Sequence, residues 1–136
     1  MLDLETEIPT PTGFIRLKDL KEGDTLFDEN NKETKVLELH PIDYFPVSYQ
    51  LLFEDGTTVN ACKDHLWKTN RGIETTEEIA KHLDTSIPGL SMIHRVVHIK
   101  KIPPIPMRCI TVDSPSHLFL ITRSYIATHN SFACLS

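Results

Sequence analysis

No stretch of this sequence stays apolar long enough to span a bilayer, which excludes a transmembrane helix. The first residues carry no basic segment followed by an apolar one. No secretory leader is therefore read, and a cytoplasmic location is the default expectation. Positive charge is scarce as well: 14 Lys and Arg face 19 Asp and Glu, for a net charge of −5. A nucleic-acid binder needs a basic surface to neutralise phosphates, and none is encoded here. Cysteine is rarer still. Cys62, Cys109 and Cys134 cannot all pair, and no CxxC or other zinc-type spacing joins them. Neither a disulfide framework nor a structural zinc site is expected, and nothing calls for a metal or another cofactor.

What remains is a chain of 136 residues, enough for one domain around a single core and expected to be a monomer. Short β-prone runs between polar turns dominate it: 13–17, 24–27, 34–40, 48–53, 57–61, 65–69, 91–100, 108–112, 117–121 and 125–128. Asp55-Gly56 joins two of them as a hairpin turn, where positive φ is needed. One helix is predicted, Thr76 to Leu83. Thr75 and Glu78 make its capping box, and Ile79 with Leu83 forms an apolar i, i+4 pair. Pro103, Pro104 and Pro106 mark a bend or an edge.

The chain also echoes itself. GFIRLKDL from Gly13 parallels GIETTEEI from Gly72, and VLELHPIDYFPVSY from Val36 parallels VVHIKKIPPIPMRC from Val96. The two echoes differ by one residue in spacing. They point to two similar β subunits related by a pseudo-two-fold, the alternative being chance similarity between β-rich halves. In this register Tyr49 takes the place of Cys109.

The chemistry gathers near the end of the sequence, in Thr128-His129-Asn130-Ser131. An Asn side-chain amide can attack its own backbone carbonyl, closing a succinimide and breaking the next peptide bond. That needs a polarised carbonyl and a protonated leaving amine, and a preceding His titrates in the right range. Ser131 brings a hydroxyl that can take an acyl group and pass it to its own freed amine. Taken alone, these four residues equally suit a polar loop. Upstream, however, CKDHLWKT supplies Cys62, His65 and Trp67, and MRCITVDSPSHLFL supplies Cys109 and His117. Acid, base, nucleophile and acceptor are all present in one small β domain.

These residues resemble those of an intein, a self-splicing domain of the Hedgehog-intein (HINT) fold. LDLETEIPTPTG resembles the amino-terminal intein motif, CKDHLWKT the second motif, and CITVDSPSHLFL with YIATHNS the last two. The resemblance implies an all-β horseshoe of short strands with pseudo-two-fold symmetry and one short helix. It implies a splicing domain over 1–130, with 131–136 a stub of the flanking host segment, or extein. The implied substrates are the chain's own exteins, with no nucleic acid or membrane partner and no cofactor. About forty residues separate the second motif from the late strand, too few for a homing endonuclease.

One departure matters. Most inteins begin with Cys or Ser, and this chain has Met1. Either Met1 replaced the first nucleophile, leaving only carboxy-terminal cleavage, or none was needed. A minority of inteins, class 3, lacks that nucleophile and carries a Trp-Cys-Thr trio, matched here by Trp67, Cys109 and Thr128. By this resemblance His65 protonates and strains the amino-terminal junction, and Cys109 attacks its carbonyl to give a branched thioester. Ser131 then takes the acyl group, and Asn130 cyclises with help from His129 and His117. Trp67 is expected mainly to pack near Cys109. Thr128 is recommended by position alone, and His117 reads equally as a core histidine. Cys62, where many inteins have Thr, reads as a hydrogen-bonding or packing residue. His94 and His98 are expected on a solvated surface. A third reading is a non-catalytic β interaction domain.

Overall fold

The computed structural model describes residues 1–82 and 84–130. The predicted helix partner Leu83, the acceptor Ser131 and the whole 131–136 stub lie outside the described residues. The first strands are β1 (Leu2–Asp3), β2 (Glu7–Thr10), β3 (Gly13–Arg16), β4 (Thr25–Phe27) and β5 (Glu33–Leu39). Then come β6 (Ser48–Phe53), β7 (Thr58–Cys62), β8 (Leu66–Thr69), β9 (Gly72–Thr75) and β10 (Thr85–Pro88). The last are β11 (Ile93–Ile102), β12 (Met107–Arg108), β13 (Ile110–Val112), β14 (Leu118–Ile121) and β15 (Ile126–His129). The α-helix α1 is Thr76–Ile79, shorter than the predicted 76–83. Its capping box forms as expected. The His82 N–H then bonds to the Ile79 carbonyl, an i to i+3 turn that ends the helix.

A six-stranded sheet runs in the order β10-β11-β6-β7-β1-β12, and a three-stranded sheet in the order β13-β5-β4. Hairpins β2-β3, β8-β9 and β14-β15 fill in around them. Asp55-Gly56 turns as predicted, with Gly56 at φ +90°. The internal echo has a structural counterpart. Hairpins β2-β3 and β8-β9 each restart on a glycine, Gly13 at φ +121° and Gly72 at φ +124°, a region open to glycine. A helical turn follows each, Leu17–Asp19 after β3 and α1 after β9.

The core gathers Ile8, Leu17, Leu26, Leu51, Phe53, Trp67, Ile79 and Phe119. Hairpin β14-β15 runs through the interior, and every residue of both strands is buried. That explains its continuous apolar sequence, since a strand covered on both faces shows no polar alternation.

Two elements depart from expectation in ways that shape the site. The predicted run 108–112 is split at Cys109, where the chain leaves the six-stranded sheet for the three-stranded one. The register of β11 against β6 shifts between Val96 and His98. A bulge of this kind exchanges the two faces of a strand. His94 is therefore buried at 3% exposure, against expectation, while His98 stays outside as expected.

Candidate functional site

Strand β1 is only two residues long, too short to be read from periodicity. It is extended because it is held on both sides. Leu2 pairs with Ala61 of β7 and with Arg108 of β12. Carried one residue toward the amino terminus, the pairing with β7 sets Met1 beside Cys62, while the pairing with β12 ends at Arg108, one residue before the chain changes sheets at Cys109. The Cys62 N–H bonds to the Met1 carbonyl at 3.0 Å, in keeping with that register. Met1 thus lies beside Cys62 at the end of β7, with Cys109 just past the end of β12 on the other side of β1. Two strand spacings of about 4.8 Å separate the flanking backbones, too far for Cys62 and Cys109 to bridge each other.

The Met1 nitrogen points at chemistry. It donates to Cys62 Sγ at 3.0 Å and to His65 Nδ1 at 3.2 Å. His65 in turn places Nε2 2.6 Å from Thr128 Oγ1. Because Nδ1 accepts from the Met1 nitrogen, the ring proton sits on Nε2 and is donated to the threonine. Burial holds the His65 pKa well below the ordinary imidazole value, assisted by the nearby Met1 ammonium and by His129. The ring is neutral at neutral pH.

Trp67 braces this histidine from the side, its ring edge-on to the imidazole at 5.0 Å and 77°. The indole N–H donates to Thr76 Oγ1 at 2.9 Å, and the Thr76 N–H bonds to the His65 carbonyl. The packing role expected for Trp67 therefore falls on His65. Thr76 was missed by sequence reasoning. Its only signal was its place just inside the capping box, where a helix begins on a hydroxyl residue.

At the other end of the site, β15 delivers Thr128, His129 and Asn130. The Asn130 N–H bonds to the His117 carbonyl at 2.8 Å, drawing the two predicted segments together. His117 adopts φ +61°, in the left-handed region that is uncommon outside glycine. Its ring meets that of His129 at 5.7 Å. His129 Nδ1 stands 2.5 Å from the Asn130 carbonyl oxygen. A carbonyl can only accept, so Nδ1 carries the proton and pulls electron density from the carbon that a succinimide closure attacks. Burial lowers the His129 pKa, the bond to Asn130 raises it, and His117 lowers it further. Asn130 is 4% exposed, and its Oδ1 has no hydrogen-bond partner among the described residues, which leaves the side-chain amide unanchored.

Both ends meet at one small cavity of about 10 Å³, lined by Leu2, His65, Cys109, Phe119 and Asn130 among others. That is at the lower limit for a single water molecule. Cys109 is 4% exposed and disulfide-bonded. Three cysteines exclude a framework of bridges but leave room for one. Cys62 is a free, buried thiol, and Cys134 lies outside the described residues. Among the described residues no three His, Cys, Asp or Glu side chains are grouped to hold a metal ion. No helix there is long and apolar enough to cross a membrane.

The crystal structure of the MchDnaB-1 intein superposes on this chain with a TM-score of 0.88 at 31% identity, covering 96% of this chain and 100% of that one. The chain belongs to the intein family. It is a protein-splicing domain of HINT fold, and its self-excising chemistry is autocatalytic. A variant gp41-1 intein, in which the first cysteine is alanine, a phenylalanine is tryptophan and an aspartate is cysteine, is also similar. It gives a TM-score of 0.84 at 27% identity, covering 95% of this intein and 98% of that chain. The replicative DNA helicase DnaB of Mycobacterium leprae is 29% identical over 145 residues, which take in 96% of this intein and 24% of the helicase. The intein thus spans about a quarter of the helicase it resembles. No family model matches the sequence.

Proposed function

We propose that this intein splices by the class 3 route, with Cys109 as the first acyl acceptor. The observation that carries the reading is the register of β1. It pairs Leu2 with Arg108, the residue before Cys109, and Leu2, Cys109 and Asn130 line one cavity. In this reading the Met1 nitrogen, an ammonium here, stands where the junction's amide nitrogen stands in a longer precursor. Cys109, once reduced, attacks the carbonyl preceding Met1, forming an S–C bond as the C–N bond breaks. A thiolate is the strongest nucleophile in the site. Ser131 Oγ then takes the acyl group and returns the Cys109 thiol. The Asn130 amide nitrogen attacks its own carbonyl, polarised by His129, and the bond to Ser131 breaks. A final O-to-N acyl shift leaves an ordinary peptide bond between the flanking segments. Holding both junctions against one small cavity supplies much of the rate.

The variant gp41-1 intein supports the same route. It lacks a first-position cysteine, as this chain does, and gains a tryptophan and a cysteine, the residue types found here as Trp67 and Cys109. The natural substrate is then the pair of exteins that flank 1–130, with 131–136 the start of the downstream one. Similarity to the mycobacterial helicase supports a replicative DNA helicase as host. No homing endonuclease is assigned to the intein.

The test fuses foreign segments before Met1 and after Ser136 and compares Cys109→Ala with Met1→Ala under reducing conditions. Cys109→Ala is expected to abolish ligated product, and Met1→Ala is expected to retain it. Ligation that survives Cys109→Ala sinks the class 3 reading.

A further inference from the structure

The amino-terminal step needs a proton at one particular atom. When the upstream carbonyl carbon bonds to Cys109 Sγ, its bond to the Met1 nitrogen breaks, and that nitrogen leaves only as a protonated amine. Two side chains reach the position, Cys62 Sγ at 3.0 Å and His65 Nδ1 at 3.2 Å. Neither an ammonium nor an amide nitrogen can accept a hydrogen bond. His65 therefore faces the junction with a lone pair, and its only ring proton is committed to Thr128. Deep burial keeps it from acquiring a second proton. The residue that looks like the acid in the sequence has nothing to give at this atom.

Cys62 is differently equipped. It is a free thiol, 5% exposed, fixed at the end of β7 by the bond from its N–H to the Met1 carbonyl. A thiol sulfur accepts a hydrogen bond while keeping its own proton. Once the junction carbon turns tetrahedral and the nitrogen regains its lone pair, the S–H need only rotate toward it. A thiol is also a far stronger acid than a neutral imidazole, so it suits proton transfer near neutral pH.

We infer that Cys62 is the general acid of the amino-terminal step, delivering its thiol proton to the Met1 nitrogen while His65 holds that nitrogen in place. The inference rests on the reading in which Cys109 is the nucleophile. The Cys109 S–C bond forms, the C–N bond breaks, and the Cys62 proton goes to nitrogen. The Cys62 thiolate is then reprotonated by the proton that Cys109 released. Nothing is oxidised or reduced. Cys62 ends β7 on one side of β1 and Cys109 follows β12 on the other, so donor and nucleophile come from opposite sides of that strand.

The experiment uses the full chain with segments fused at both ends, in reducing buffer, with Asn130→Ala to halt the reaction at the branched thioester. Its formation is followed by gel and mass spectrometry from pH 6 to 10. The unsubstituted site, which needs a thiolate at one cysteine and a thiol at the other, should give a bell. Cys62→Ala and Cys62→Ser should slow branch formation at pH 7 by roughly tenfold or more. Cys62→Ser and Cys62→Thr should also lose the falling alkaline limb, a change that damaged packing would not produce. Wild-type rates in Cys62→Ser, or an alkaline limb that persists in it, overturn the assignment. Should a variant fail to fold, a profile of the unsubstituted chain that never falls up to pH 10 overturns it equally. Cys109→Ala separates the two claims. If it still forms the branch, the nucleophile reading fails; if it blocks the branch while Cys62→Ser changes nothing, only the acid assignment fails.

Discussion

His65 Nε2 and Thr128 Oγ1 are 2.6 Å apart, both buried, and they come from strands or turns 63 residues distant in the chain. One contact therefore ties the second motif, which faces the amino-terminal junction, to the strand that carries His129 and Asn130. Thr128 had only its position to recommend it in the sequence. In the structure it fixes the tautomer of His65 and thereby the lone pair that Nδ1 turns toward Met1. Two members of the Trp-Cys-Thr trio thus hold one histidine, Trp67 from its edge and Thr128 from its far nitrogen.

Thr128→Val should leave Nε2 of His65 buried without its acceptor. A lost partner of this kind costs about 1–3 kcal/mol, enough to slow the amino-terminal step by roughly ten- to a hundredfold. Thr128→Ser keeps the hydroxyl and should recover most of the rate. Single-turnover branch formation measures both. Equal rates for the valine and serine variants would show that the hydroxyl holds nothing that matters.

Because Cys109 is disulfide-bonded, its nucleophilic role predicts dependence on reduction. Precursor purified without reductant should remain unspliced, and adding dithiothreitol should start the reaction without further change. Splicing at full rate in the absence of reductant would contradict the role given to Cys109. Alkylation of the oxidised protein should label Cys62 alone among the described cysteines, and only after unfolding, since that thiol is free but buried.

Acid should destabilise the fold through its histidines. Burial lowers the pKa of His65, His94 and His129 in the native state, whereas in the unfolded chain they titrate near their ordinary value of 6.5. Below that value the unfolded chain takes up protons that the native state refuses. Stability is thus intact above about pH 6.5 and falls as the pH drops. Each refused proton steepens the loss by about 1.4 kcal/mol per pH unit. Urea midpoints at pH 7 and pH 5 read the effect, and His94→Phe should flatten the slope. An unchanged slope in that variant would mean that His94 is protonated in the folded protein.

Much of this architecture is legible in the sequence for identifiable reasons. Gly13 and Gly72 mark equivalent hairpins because both need positive φ, and Thr75 with Glu78 marks the helix start because the capping box is local. The terminal His129-Asn130 pair and the second-motif His65 stand out in the sequence because their chemistry is bound to residue type. What escapes the sequence depends on pairing between distant segments. Strand β1 has two residues and exists because β7 and β12 hold it. The burial of His94 follows from a bulge between Val96 and His98 that no local signal announces. The break at Cys109 comes from the chain changing sheets, which a continuous β-prone run conceals.

His94 also bears on the terminal strand, through Gly89. The segment between β10 and β11 touches the start of β15 through the Gly89–Ile126 bridge and the bond from the Leu90 N–H to the Tyr125 carbonyl. A Cβ at Gly89 would collide with the His94 ring on one side and the Tyr125 carbonyl on the other. Gly89 is not in the left-handed region, so alanine meets no backbone penalty there and the effect is purely steric. Gly89→Ala should therefore push Tyr125 and Ile126 outward, shifting the strand that delivers His129 and Asn130. Overpacking of this kind costs about 1–3 kcal/mol. Asn cyclisation should slow more than branch formation, because β15 leads straight into Asn130 while Met1 is held by β7. Adding His94→Ala removes one of the two collisions and should restore part of the loss, a coupling that a double-mutant cycle measures directly. Strictly additive effects would show that the alanine is accommodated elsewhere and that the contact with His94 does not set the position of β15.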